Sequence, residues 1–464
     1  MTLVACASVV AVAVAVAAIA LALVSIGGGG GGGSAKHSVS DPDRSEAAVI
    51  APLRAAPKTQ WTADLHGTDE CDGTDTSTVY AVSHVGDHLE AIAIARSNGK
   101  ERWRVRLNDI AGNCAIAGVA DGAVIAGSGA QAATALLLDR GTGQTRWTSH
   151  VPSWDIARVL RIGDSLLLLH SDEAGEQATT IDTSNGRTGR MVSGQTLSVG
   201  STRLYAIDDA GRVLAYDLKH LRRVARMDAK IDLETQLFGY PEYKCLGFPT
   251  NSGLIAEVRG KVLVAVGESV VAYDTAGHPV WRVRTSAGTI SSLVAAGSNA
   301  FASGSRGAAM VTFGGSAARP RARGTWSSSS VCIDGAVKSG GRVYAIAHTS
   351  NTTETVYETE LDGTLRGAGV ATLDERGNAF NENVITRNGF YHHTHADTGT
   401  TQSENIGLFD FHGVAIWDGD SDGHVATSLH IGDGFILFRY SDTTVGAVDT
   451  VEYWAPTRRA HRSP

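Results

Sequence analysis

The sequence predicts an all-β protein: an eight-bladed β-propeller of four-stranded blades, within a range of seven to nine, preceded by one transmembrane helix. Three observations predict it. A hairpin motif returns along the chain at near-constant spacing. The two ends of the repeat region look like complementary parts of one sheet. A 24-residue apolar run, Leu3 to Ile26, stands ahead of everything else.

The motif is an apolar strand, often ending in Asp, then a Gly turn, then Trp. It reads Ile94-Ala95-Arg96-Ser97-Asn98-Gly99 to Trp103, and Leu138-Asp139-Arg140-Gly141-Thr142-Gly143 to Trp147. It returns as Ala272-Tyr273-Asp274-Thr275-Ala276-Gly277 to Trp281, and as Phe409-Asp410-Phe411-His412-Gly413 to Trp417. In all four copies Gly precedes Trp by four positions. Degenerate copies stand at Ile181 to Gly186 and at Ala215-Tyr216-Asp217. Asp bonds its own backbone and Gly supplies positive φ, so the chain reverses between two strands. The Trp then offers a large surface to pack between neighbouring sheets.

Two more strand-like runs precede each hairpin, such as Val159-Leu160-Arg161-Ile162 followed by Leu166-Leu167-Leu168-Leu169. Short β-rich runs divided by Gly/Asp turns indicate an all-β fold. Trp61, Trp103 and Trp147 are spaced by 42 and 44 residues, the length of a four-stranded propeller blade. Gln60 to Leu65 looks like a lone Trp-bearing strand. The segment His424 to Trp454 looks like three strands that lack one. Joining them completes a sheet from both ends and removes open edges. A literal tally gives nine units. The stretch Ser193 to Asp228 is short and weakly patterned, and about eight blades is the usual ceiling, so the expected count is eight.

The form Ala/Leu-x-Asp-x-x-Thr-Gly-x-x-x-Trp, best matched by Leu137 to Trp147, resembles the PQQ-like (quinoprotein-type) β-propeller repeat. It is similar to the repeat of the propeller lipoprotein of bacterial outer-membrane assembly. The resemblance spans roughly Trp61 to Trp454 and speaks to fold more than to function. Quinoprotein dehydrogenases hold their quinone against an adjacent-cysteine disulfide ring. No Cys-Cys pair occurs here, so no residue is carried over to a quinone site.

At the N-terminus, a helix over the apolar run is about 36 Å long, enough for a hydrocarbon core of about 30 Å. A cleaved signal peptide is the rival reading, but no Lys or Arg precedes the run and the core is long for one. Cys6 sits in a lipobox-like Leu3-Val4-Ala5-Cys6, with no apolar segment before it. Gly27 to Gly33 is all glycine and reads as a flexible tether. The expected organisation is an anchor over 1–26, a linker over 27–57, a propeller over 58–457 and a basic tail over 458–464. That places the propeller on the extracytoplasmic side of a cell membrane, tethered by a single pass.

The net charge of −8 is spread without a basic stripe, which argues against nucleic acid as a partner. Four cysteines follow the apolar run: Cys71, Cys114, Cys245 and Cys332. An even count beyond a membrane segment suits an oxidising exterior and two disulfides, with four buried thiols as the alternative. Cys71 lies 10 residues after Trp61 and Cys114 lies 11 after Trp103, so they occupy equivalent positions on connections that lead toward inner strands. Cys71–Cys114 is the preferred bridge. Cys245–Cys332 is second by elimination, with the other two pairings open. That second bridge would staple the long segment Lys230 to Pro249 over the same face.

Two clusters suggest metals. Asp418-Gly419-Asp420-Ser421-Asp422-Gly423 places carboxylates of Asp418, Asp420 and Asp422 at alternate positions, as at the start of a calcium loop. The twelfth position is Leu429 rather than Glu, so the bidentate ligand is missing and a solvated turn is the plainer reading. Tyr391-His392-His393-Thr394-His395 puts His393 and His395 on one face of a strand, two imidazoles that can begin a zinc or copper site. The sequence places no Cys or carboxylate to finish it. No nucleophile elbow, phosphate loop or metalloprotease helix motif occurs. The expected function is therefore a membrane-anchored, non-catalytic binding or scaffolding module for a cell-envelope protein or surface ligand. No cofactor is expected, with calcium at Asp418, Asp420 and Asp422 as the alternative. An extracytoplasmic propeller enzyme with its site in the central funnel is the alternative.

Overall fold

The computed structural model describes residues 57–456 apart from several short connections and the longer segments 239–252, 313–320 and 361–370. Side chains are described mainly through Thr312, and the strands beyond it mainly by their backbone. The architecture is a β-propeller. Among the described residues there are nine four-stranded antiparallel sheets, the upper end of the expected range of seven to nine. Eight of them are meanders in chain order, over 68–107, 112–151, 155–194, 196–227, 255–284, 290–326, 332–374 and 378–419. The ninth joins the strands His424–Ile431, Gly434–Tyr440 and Val448–Pro456 to Pro57–Asp64 from the other end of the folded region. Thr62 pairs with Glu452 and Asp64 with Thr450, as the complementary ends predict.

The sheet that the motif marks most weakly is 196–227. Its strands are only four or five residues long, and Asp208 builds its second turn by accepting hydrogen bonds from the Ala210 and Arg212 amides at 3.0 and 2.9 Å. It escaped the motif for a physical reason that the regular repeats reveal. Trp61, Trp103 and Trp147 each donate an indole N–H to a carbonyl in the hairpin of the next sheet: Arg96 at 2.7 Å, Arg140 at 2.9 Å and Thr183 at 2.9 Å. Each ring then lies over the glycine of that hairpin. Gly99, Gly143 and Gly186 have φ near +70°, and a Cβ on any of them would come within 2.8 Å of the ring. Glycine is thus required twice, once for the left-handed backbone and once for the indole. In the 155–194 sheet the Trp position is taken by Arg190. The following hairpin has Leu221 at the glycine position, with φ +49° and its side chain fully buried. Loss of the Trp removed the need for Gly, and both marks of the motif vanished together.

The apolar core lies between sheets. The second and third strands are buried on both faces, which is why Ala123-Val124-Ile125-Ala126 and Leu136-Leu137-Leu138 are unbroken apolar runs. Cys71, Tyr80, Trp103, Ile116 and Leu136 form one cluster joining the first two meanders, and Ala115, Trp147, Val151, Leu166 and Ile181 join the next pair. Each sheet packs on its neighbours, the nearest-neighbour logic of a repeat protein. Fourth strands alternate exposed and buried residues. First strands approach one another: Thr68–Thr74 lies against Gly112–Val119, and Gly112–Val119 against Asp155–Ile162. The ninth sheet touches the eighth through His424–Ile431 and the first through Val448–Pro456. First strands are therefore inner and fourth strands outer. Among the described residues no helix is long and apolar enough to cross a membrane, and the 3–26 run lies outside them.

Candidate functional site

In an antiparallel meander the start of the inner strand and the turn between second and third strands fall on the same side. That side is where the described residues depart from plain repeat geometry. Six of the nine inner strands carry a register shift close to their start. The skipped residues are Glu70, Asn113, Ala157, Ser291, Asp334 and Ala426. Such bulges bend a strand and re-aim the residues beside them, and they gather at rims and binding sites.

The first residues after the bulge in three successive sheets are Cys71, Cys114 and Arg158. Cys71 and Cys114 are disulfide-bonded, with Cα atoms 5.6 Å apart. The preferred pairing is present, although both cysteines sit within inner strands rather than on the connections leading to them. Arg158 holds the equivalent place one sheet on. Arg158 is half-buried, and partial desolvation pulls its guanidinium down to about 10 against the opposing influence of Glu176, so it stays a cation at neutral pH. Glu176 is engaged by the next sheet, accepting from the Thr196 hydroxyl at 3.2 Å and from the Leu197 amide.

The long segment after the 196–227 sheet enters the same side. Its described part includes one π-helical turn, Glu234–Phe238. Gln236, 1 % exposed, accepts from the Gly267 amide at 3.0 Å and donates to the Ile290 carbonyl at 3.0 Å. Gly267 is in a second-to-third turn and Ile290 begins an inner strand, so this turn is pinned on the bulged side. The remainder, with Cys245, lies outside the described residues. Cys332 opens the strand Cys332–Ser339, described here by its backbone, so the Cys245–Cys332 pairing also falls outside. For the calcium reading, Asp418 is in the strand Ala415–Gly419, while Asp420 and Asp422 lie outside the described residues. His393 and His395 fall in the strand Phe390–Asp397.

The sheets are tied together by charged hubs away from this rim. Asp75 accepts from the Ser77 and Thr78 amides at 2.7 and 2.9 Å, the Tyr80 hydroxyl at 2.9 Å and Arg140 Nη2 at 2.8 Å. Burial, then the Asp75 charge, pushes the Tyr80 phenol up to about 12. Glu257 similarly accepts from the Tyr205 and Ser201 hydroxyls of the preceding sheet at 2.5 and 2.6 Å. These hubs fix sheet-to-sheet geometry through buried hydrogen-bonded groups.

Sequence reasoning missed Arg158, Gln236 and the bulges. A lone Arg inside Ile156-Ala157-Arg158-Val159-Leu160 was a usable signal, since an apolar inner strand seldom holds a charge without a task. The bulges left no mark in the sequence because pairing alone defines them.

The recurrent hairpins and the four-stranded meanders coincide with a family match. Residues 46–224 match the family model described as outer membrane protein assembly factor BamB. PQQ-like propeller repeats are thus matched over residues 46–224. Among solved structures, BamB from Moraxella catarrhalis is similar at 13 % identity and a TM-score of 0.42, covering 88 % of this chain and 100 % of its own. The computationally designed Ika8 protein is similar at 12 % identity and a TM-score of 0.44, covering 85 % of this chain and 98 % of its own. No curated protein matches the chain.

Proposed function

We propose that this protein is a membrane-tethered, extracytoplasmic propeller of nine blades, closed by the strand Pro57–Asp64, that works as a non-catalytic binding or scaffolding module for a cell-envelope protein. The family match over residues 46–224 carries this reading, because the matched model is named for outer-membrane protein assembly. The Cys71–Cys114 bridge supports an oxidising compartment. The apolar run from Leu3 to Ile26 and the glycine tether support anchoring. On this reading the bulged side is the docking face. Its bridge ties two inner strands together, Arg158 offers a half-buried cation to a partner carboxylate or backbone carbonyl, and the Gln236 turn is pinned beside them. Rigid presentation lowers the ordering cost of association.

Site-specific photo-crosslinking in intact cells tests this. A photoreactive residue at Asn113, on the bulged side, is expected to yield discrete protein adducts. The same residue at Val280, exposed on an outer strand, is expected to yield none. Equal labelling from both positions, or adducts from Val280 alone, would remove the bulged side as the docking face.

A further inference from the structure

We propose that the outer strands of the 155–194, 196–227 and 255–284 sheets form a face that rests on the anionic headgroups of a phospholipid membrane. The proposal rests on the membrane tethering proposed for the chain and adds which side of the propeller meets the bilayer. The three strands are Thr188–Gly194, Arg223–Met227 and Pro279–Arg284. They contain Arg190, Arg223, Arg226, Arg282 and Arg284 and no carboxylate, in a chain whose net charge is −8. All five arginines are exposed. Arg226 pairs with Asp228 at 2.8 Å and Arg284 with Glu268, whereas Arg190, Arg223 and Arg282 are in no ion pair among the described residues. These cations lie a sheet apart in sequence, so no basic stripe shows until folding aligns them.

The same strands hold the exposed large apolar side chains of the described residues: Met191, Val224 and Val280, at 46, 47 and 47 %. Two of them are placed by a bulge. Outer strands shift register beside the Trp position, and the skipped residue is Arg102 or Arg146 in the first two meanders but Val224 or Val280 in these. A bulge re-aims its extra residue, so equivalent points on successive sheets present an apolar side chain where earlier sheets present a cation. The strands are also neighbours. Val192 shares a buried cluster with Leu218 and Leu221 of the next hairpin. A Cβ on Gly277 would come within 2.5 Å of the Arg226 carbonyl oxygen, so Arg223–Met227 lies on the hairpin that opens Pro279–Arg284. Burial holds the Tyr216 phenol above its ordinary range and the Arg223 and Arg190 charges draw it back, which places both guanidiniums near one ring.

Edge strands carry charge to deter pairing with another sheet, but exposed Met and Val do not serve that role. Cations alone suit any polyanion. Cations interleaved with apolar side chains suit the headgroup–acyl boundary, where guanidinium meets phosphate and the apolar groups reach the acyl chains. A Gly-rich coil of the length expected for the 27–57 linker spans about 30 Å, which keeps the face within reach of the bilayer. Seated on its side, the propeller leaves the bulged side open to a protein partner.

The test uses the full-length chain in vesicles of phosphatidylcholine, alone or mixed with phosphatidylglycerol. A photoreactive residue replaces Val224, and lipid adducts are read by mass spectrometry. The neutral vesicles are expected to give at least about fivefold fewer adducts than the anionic ones, since each arginine near an anionic surface contributes roughly fivefold. A photoreactive residue at Asp87, 93 % exposed in the first meander, is expected to give only background in either. Arg190→Gln/Arg223→Gln/Arg282→Gln is expected to bring the anionic yield down to the neutral level. Salt at about 1 M, where the screening length is about 3 Å, is expected to do the same and carries the test if the triple variant does not fold. Flotation with phosphatidylcholine vesicles reads the tether separately. A chain that does not float there lacks the anchor, and Val224 adducts with phosphatidylglycerol still decide the face. Equal yields from Val224 in the two kinds of vesicle, or from Val224 and Asp87, would overturn the proposal. Protein adducts from Val224 in intact cells, in place of lipid, would overturn it equally by making the face a protein-docking surface.

Discussion

Trp103→Ala is expected to destabilise the protein by about 3–5 kcal/mol, the range for truncating a large aromatic in a packed core. Trp103 is 7 % exposed and packs in the cluster that joins the 68–107 and 112–151 sheets. Its ring centroid lies 6.1 Å from that of Tyr80, and its indole N–H donates to the Arg140 carbonyl at 2.9 Å. Truncation opens a cavity over Gly143, which has no side chain to fill it, and leaves the Arg140 carbonyl without its donor. Val280, 47 % exposed on an outer strand, provides the control. Val280→Ala is expected to change stability by no more than about 0.5 kcal/mol. Denaturant midpoints of the two variants and the wild type decide this, and equal losses would show that indole-over-glycine stacking is not what couples the sheets.

Breaking the Cys71–Cys114 bridge is the second large effect. The bridged residues are 43 apart in sequence, and the chain-entropy model gives about 4 kcal/mol for a loop of that length. Reduction of the wild-type chain and the double substitution Cys71→Ser/Cys114→Ser are expected to lower the denaturant midpoint alike. The double variant also reports on the remaining cysteines. Further loss of stability on reduction would reveal the Cys245–Cys332 pairing, and indifference to reductant would leave those two as thiols. A wild-type midpoint unmoved by reductant would contradict a stabilising bridge at the rim.

What could be read from the sequence was what the chain writes locally. The Asp and Gly of Leu138 to Gly143 specify a turn through bonds within a few residues: Asp139 accepts from the Gly141 and Thr142 amides at 2.9 and 3.0 Å. The spacing of Gly143 to Trp147 follows from one hairpin. The pairing of the two ends was legible because Gln60 to Leu65 lacked the strands it needed and His424 to Trp454 lacked a fourth. The 196–227 sheet was hard to read because two motif residues were lost as a pair, Arg190 standing for Trp and Leu221 for Gly. The bridge between Cys71 and Cys114 was legible because both cysteines keep nearly the same distance from a Trp. The bulge that sets Arg158 in line with them was not, since a bulge is a relation between two strands.

The proposed closure of the ring by Pro57–Asp64 underlies the rest, because it would turn the inner-strand starts into one common rim. Oxidative cross-linking of Thr62→Cys/Glu452→Cys tests it directly, since Thr62 and Glu452 are opposite one another in the closing sheet. Peptide mapping under non-reducing conditions should recover a 62–452 linkage in folded protein and lose it when the chain is unfolded before oxidation. Folded protein that yields no 62–452 linkage, or that cross-links only between separate chains, would contradict a ring closed by its own N-terminal strand.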